Sequence, residues 1–305
     1  RMARTSTMTP VPDMKTVGVL GGGLMGSGIA QVCGTSGYTT IVREVSEELC
    51  VKARASIARS FDKAIEKGKS TDDEKNEALA RISFTTSLSD LAKADIVIEA
   101  VVEDLAVKAQ MFAELDALCG AETIFASNTS SLTVAEIAAA TSRADRFVGM
   151  HFFNPVPVMK LVEIVRAIRT SESTVERAFA FAVSLGKEPI RAHDNSGFVV
   201  NLLLVPYMID AIRALESGVA SASDIDKGMM LGAGHPMGPL TLLDFVGLDT
   251  VYKIAEIMYD EYREPRYAPP PLLKRMVIAG MYGRKSGMGF YDYSKKPPVP
   301  SDLAL

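Results

Sequence analysis

Three histidines stand in the 305 residues, His151, His193 and His235, and one of them has the surroundings of a general base. His151 closes the apolar run 147–151, prolines follow at 155 and 157, and a second apolar run, 159–165, carries Glu163. A strand, turn, strand pattern of this kind brings its two ends together. A carboxylate inside Leu161-Val162-Glu163-Ile164-Val165 is costly to bury without a partner, and an imidazole is a chemically suitable one. Held this way, a histidine has its tautomer and orientation fixed and its basicity raised. A structural histidine, with Glu163 bridged to Lys160 or Arg166, is the other reading of these residues. His193 lies in a charged loop and His235 in the Gly/Pro turn 232–238, so both read as surface or turn residues.

The chemical reading gains weight if His151 ends a strand of a nucleotide-binding sheet, because ligands sit at the carboxyl ends of such strands. Gly21-Gly22-Gly23-Leu24-Met25-Gly26 supplies the evidence, matching G-x-G-x-x-G between an apolar strand, 15–20, and a helical stretch, 24–33. Gly21 permits the tight turn, Gly23 lets a pyrophosphate approach the backbone, and Gly26 lets helix and strand pack closely. The helix start, with Leu24 and Met25, offers free N–H groups to the anion. Eighteen residues beyond Gly26, after the strand 39–43, stands Glu44. An acid there accepts hydrogen bonds from the adenosine ribose and repels a 2′-phosphate, which favours NAD over NADP. Arg43 beside it could instead reach a phosphate or be solvated.

Further strands at 96–100, 124–127 and 147–151 alternate with amphipathic stretches at 107–118 and 134–140. The expected fold is an α/β Rossmann-type doubly wound sheet. The Ala/Lys/Glu-rich segment 46–80 is too long for a plain crossover and predicts a projecting helical hairpin. Ser127-Asn128-Thr129-Ser130-Ser131 follows a strand; it either caps the next helix through Ser131 or Thr133 or touches a ligand. A boundary is expected near residue 195. Beyond it, 198–217, 222–231, 240–261 and 271–281 all have helical spacing, predicting a smaller all-helical C-terminal domain over 196–293. Residues 1–13 read as a disordered leader and 294–305 as a tail.

Composition narrows the partners. Hydrophobic residues make up 48%, and Lys+Arg 33 against Asp+Glu 37 gives a formal net charge of −4, with no basic excess for nucleic acid. The apolar run 197–212 is broken by Asn201, Pro206 and Asp210, so no membrane span is expected. Cys33, Cys50 and Cys119 are odd in number and lack C-x-x-C spacing, against disulfide or zinc scaffolds and in favour of a reducing cytoplasm.

At these residues the chain resembles the 3-hydroxyacyl-CoA dehydrogenase family, and within it the bacterial short-chain 3-hydroxybutyryl-CoA enzymes. The likeness runs from residue 15 to about 293 and rests on the glycine fingerprint, SNTSSL (127–132), HFFNPVPVMKLVE (151–163), GFVVN (197–201), HPMGP (235–239) and 283–293. It implies NAD-dependent, reversible oxidation of an (S)-3-hydroxyacyl-CoA to the 3-ketoacyl-CoA, a homodimer made by the C-terminal domain, and a place in fatty-acid, butyrate or polyester metabolism. By motif, His151 would be the base, Glu163 its orienting partner, Asn201 a substrate contact and Ser130 a contact to substrate and cofactor. Glu44, Glu103, Lys108, Asn128 and Lys285 would serve the cofactor; Ser60 and Lys67, two helical turns apart, would serve CoA. Ser196, Leu202 and Glu44 stand where the family commonly has Pro, Arg and Asp. Two alternatives stay open: a related dehydrogenase of a free hydroxy acid or sugar acid, and a non-catalytic NAD-binding protein.

Overall fold

The computed structural model describes residues 11 and 13–303. They divide into two compact units, the first ending at Asn195 and the second beginning at Ser196. The first is built on an eight-stranded sheet of order β3-β2-β1-β4-β5-β6-β7-β8. Its strands are β1 (Thr16–Leu20), β2 (Thr39–Arg43), β3 (Ile82–Thr85), β4 (Ile96–Glu99), β5 (Ile124–Ser127), β6 (Phe147–Phe152), β7 (Leu161–Arg166) and β8 (Glu188–His193). Every neighbouring pair is parallel except β6 and β7. The helices α1 (Leu24–Thr35), α4 (Leu105–Leu118) and α6 (Glu172–Ser184) cross over between strands, with the short α5 (Val134–Ala138). Covered on both faces, β1 and β4 read as nearly continuous Val/Ile runs, and both are buried almost throughout. The strand order reverses between β1 and β4, which opens a crevice at their carboxyl ends.

The segment 46–80 forms α2 (Glu47–Glu66) and α3 (Asp72–Ala80). Ser46 caps α2, and Thr71 and Glu74 make a capping box at α3. Part of the hairpin folds back on the sheet layer: the Ala78 carbonyl lies 2.9 Å from where a Cβ on Gly34 of α1 would stand.

Of the expected leader, residues 1–10 and 12 lie outside the described residues. Val11 and Asp13 are held in place, against the expectation of disorder. Val11 N donates to Tyr38 Oη at 2.9 Å, Asp13 pairs with Arg177 at 3.0 Å, and Met14 is fully buried.

The second unit contains α7 (Val200–Glu216), α8 (Ala222–Gly232), α9 (Pro239–Val246), α10 (Leu248–Tyr262) and α11 (Pro271–Ile278) around their own apolar core. It is not all helical. β9 (Tyr291–Asp292) pairs antiparallel with β10 (Val299–Pro300), so part of the expected tail belongs to a ribbon. Two buried carboxylates tie it together. Asp226 accepts from Leu240 N, Thr241 N and Tyr291 Oη, and Asp244 from Phe290 N, Tyr291 N and Tyr293 Oη. Burial pushes the Asp244 carboxyl up to about 6, against those three donors. The motif glycines make room for this: a Cβ on Gly238 would lie 2.3 Å from the Asp226 side chain.

Candidate active site

The glycine turn after β1 separates into positions that the protein itself requires and one that it does not. Gly21 has φ +85°, and a Cβ on Gly26 would stand 1.7 Å from the Gly21 carbonyl oxygen. A Cβ on Gly23 would meet nothing within 4 Å. That clearance faces the first turn of α1, which has no side-chain cap and no acidic residue, so its N–H groups are oriented for an anion. Leu24 opens the helix exposed, and Met25 follows half-buried. Glu44 follows β2 directly; its carboxylate accepts from Gly22 N, and from Val45 N at 3.2 Å. Arg43 is turned away, donating from Nε to the Thr86 carbonyl at 3.3 Å. An open glycine, an uncapped helix start and a carboxylate beside the turn fit the pyrophosphate and ribose of a dinucleotide.

At the other end of the sheet, the antiparallel register sets His151 opposite Glu163. His151 Nδ1 lies 2.6 Å from Glu163 Oε2; the carboxylate is fully buried and the histidine 6% exposed. Phe153 stacks at a tilt on the imidazole, with centroids 4.5 Å apart. The alternative bridges are not made: Lys160 pairs with Glu188, and Arg166 with Glu172. A carboxylate next to Nδ1 retains the proton there and leaves Nε2 as the basic nitrogen.

Between these two places runs a buried polar network. Glu99, the last residue of β4, accepts from Val101 N (2.7 Å), Lys108 Nζ (2.7 Å) and Ser127 Oγ (2.6 Å). Lys108 also pairs with Glu103 Oε2 at 3.1 Å. The other oxygen of Glu103 gathers the loop after β5, accepting from Thr129 Oγ1, Ser130 N, Ser131 N and Ser131 Oγ at 2.6–3.1 Å. Burial alone would raise the Glu103 carboxyl, but Lys108 and these hydroxyls outweigh it and hold it at about 2. Lys108 is 1% exposed and ties the two carboxylates of Glu99 and Glu103 together. Asn128 Oδ1 accepts from Phe152 N at 2.9 Å, binding the loop to the end of β6 beside His151.

The loop also takes its helix cap from elsewhere. Neither Ser131 nor Thr133 caps α5. Asp194, sixty residues on, accepts from Val134 N and Ala135 N, each at 2.7 Å. Burial keeps the Asp194 carboxyl above its usual range despite those donors. Ser60 lies half-buried on α2, and Lys67, at the C-cap, is exposed. Asn201 stands in the first turn of α7; Lys285 pairs with Asp249 at 2.7 Å, both in the second unit. Among the described residues no group of three or more His, Cys, Asp or Glu could hold a metal, and no helix is long and apolar enough to cross a membrane.

Family models place these features. Residues 16–195 match the NAD binding domain of 3-hydroxyacyl-CoA dehydrogenase, and residues 197–293 match its C-terminal domain. The chain belongs to the 3-hydroxyacyl-CoA dehydrogenase family. It is similar to a 3-hydroxybutyryl-CoA dehydrogenase of Mycobacterium tuberculosis, 51% identical over 282 residues, covering 92% of this chain and 99% of that protein. The mitochondrial hydroxyacyl-coenzyme A dehydrogenase of Sus scrofa is 45% identical over 287 residues, covering 92% and 91%. A crystal structure of an (S)-3-hydroxybutyryl-CoA dehydrogenase from Ralstonia eutropha superposes with a TM-score of 0.89 at 47% identity, covering 92% of this chain and all of that one. As a member of this family the chain is an NAD-dependent oxidoreductase, and its first unit is the NAD-binding domain. Glu99 and Asp194 lie outside every motif that marks the site in the sequence, whereas Thr129 stands within 127–132. Glu99 carried the only available signal, an acid at the end of an otherwise apolar strand.

Proposed function

We propose that the chain interconverts an (S)-3-hydroxyacyl-CoA and the corresponding 3-ketoacyl-CoA, with 3-hydroxybutyryl-CoA as the substrate to which its relatives' names point. The observation that carries the chemistry is the 2.6 Å contact between His151 Nδ1 and the buried Glu163 carboxylate. With Nδ1–H donated to Glu163, His151 Nε2 takes the proton of the substrate 3-hydroxyl, and Glu163 stabilises the imidazolium that results. In the reverse direction the same nitrogen returns its proton to the carbonyl oxygen. Bound NAD supplies the acceptor for the hydride of C3. A positioned base of this kind contributes about 10²–10⁴-fold.

The motifs assign Ser130 to substrate and cofactor, Asn128, Glu103 and Lys285 to the cofactor side, Asn201 to the substrate and Ser60 with Lys67 to CoA. Lys108 serves the cofactor through Glu103. A homodimer through the second unit is supported by the large apolar side chains it leaves exposed, including Leu203, Leu231, Phe245 and Ile278. Three buried, unpaired cysteines suit a reducing cytoplasm, and an acyl-CoA substrate suits fatty-acid metabolism. The test is a set of initial rates with acetoacetyl-CoA, longer 3-ketoacyl-CoAs and free acetoacetate, each with NADH and NADPH. The expected result is the highest kcat/KM with acetoacetyl-CoA and NADH; a preference for the free acid would reject the assignment.

A further inference from the structure

The turn between His151 and Glu163 is fastened by a lysine that the proton transfer does not use. Within residues 153–160, Pro155 O accepts from Val158 N and Met159 N at 2.9 Å, which closes the turn locally. The carbonyls of Val156 and Met159 are taken up by a third element. Lys187, between α6 and β8, donates from Nζ to Val156 O and, at 2.9 Å, to Met159 O. It is 8% exposed, and among the described residues it makes no ion pair. An ammonium buried without a carboxylate is expensive to maintain. Burial lowers it to about 8, with the Cys33 thiol pulling the other way. Two N–H groups suffice for both bonds, so they persist in the neutral amine. From α1 the same turn meets Gly28: Val156 is 2% exposed, and a Cβ on Gly28 would lie 2.8 Å from Val156 Cβ.

The rungs His151↔Glu163 and Phe152↔Val162 are the last two before this turn, so freedom in the turn reaches them first. Resting on the assignment of His151 as the base, we propose that Lys187 is a positioning residue for the His151–Glu163 pair. By holding the carbonyls of Val156 and Met159, it fixes the turn that joins β6 to β7, and with it the alignment of imidazole and carboxylate.

The test compares Lys187→Met, Lys187→Arg and, as a stability control from the same core, Phe181→Leu. Rates are measured with acetoacetyl-CoA and NADH, alongside the downfield proton resonance of His151 Nδ1–H, assigned by its disappearance in His151→Gln. Lys187→Met is expected to lower kcat roughly ten- to a hundred-fold, to leave KM for NADH within about twofold, and to move or abolish the resonance. Lys187→Arg, which keeps the donors and the reach, is expected to restore most of kcat. Phe181→Leu should leave kcat and resonance as in the wild type. Wild-type kcat and an unmoved resonance in Lys187→Met would overturn the proposal, as would an equal kcat loss in Phe181→Leu. Should Lys187→Met not fold, Gly28→Ala displaces the turn from the side of α1, and unchanged kcat and resonance there overturn it instead. If His151→Gln itself retains kcat, the assignment of the base fails, whatever Lys187 does.

Discussion

Gly22 donates its backbone N–H to the carboxylate of Glu44, so the acid after β2 rests on the glycine turn itself. A negative charge fixed there discriminates between ribose hydroxyls and a 2′-phosphate. Glu44→Ala is expected to lower kcat/KM with NADH about tenfold, or ~1.4 kcal/mol, while NADPH gains relative to it. Arg43→Ala, whose guanidinium faces Thr86, should leave the ratio within about twofold. Initial rates with both cofactors decide; an unaltered ratio in Glu44→Ala rejects the ribose contact.

Gly23 and Gly26 should fail differently as alanines. Gly26→Ala drives a methyl group into the Gly21 carbonyl and is expected to cost about 3 kcal/mol or more of stability. Gly23→Ala meets only open space and loses a preferred N-cap, a cost of no more than about 1 kcal/mol. Its loss should instead be in NAD affinity. Thermal unfolding and calorimetric titration with NAD separate the two, and unimpaired NAD binding by Gly23→Ala would remove the pyrophosphate from this turn.

His151→Gln is expected to remove about 10²–10⁴-fold of kcat while NAD affinity, read by calorimetry, changes little. Glu163→Gln should cost roughly ten- to a hundred-fold, because the imidazole loses the group that fixes its tautomer. An unchanged kcat in Glu163→Gln would make that residue structural.

Glu103 predicts a pH dependence of stability. Its folded carboxyl is held at about 2 against an ordinary 4.5, so the stabilisation is fully present above about 4.5 and is lost as pH falls from there through about 2. It amounts to something on the order of 3 kcal/mol. The wild type should therefore exceed Glu103→Gln by a constant margin near neutral pH, and the margin should close in acid. Parallel urea-unfolding curves at every pH would contradict it.

The parts of the site with one-dimensional signatures were legible in the sequence. The glycine turn follows from residue type and its place between strand and helix, and Glu163 from the cost of a lone acid in an apolar run. The buried network was not legible. Nothing in the spacing of Glu99, Glu103, Lys108 and Thr129 says which acid takes which donor, because β4, α4 and the loops after β4 and β5 must fold before they meet. Asp194 is the clearest case, capping a helix sixty residues away where local serines and threonines stood ready. The edge strands β3 and β8 have weak signatures: β8 carries Pro189, Arg191 and exposed side chains and pairs on one side only, so it lacks an apolar alternation. The β9/β10 ribbon is only two residues wide on each side, too short for any period to register.

The single antiparallel pair in an otherwise parallel sheet bears on how this chain can change length. Because β6 and β7 form one hairpin, base and carboxylate arise from a continuous stretch of thirteen residues. One residue gained or lost within either strand would turn its side chains to the opposite face and separate the pair completely. Insertions elsewhere, in the α2–α3 connection or the C-terminal ribbon, carry no such penalty. Drift in length should therefore be absorbed outside this hairpin, and the stretch from His151 to Glu163 inherited as an indivisible piece.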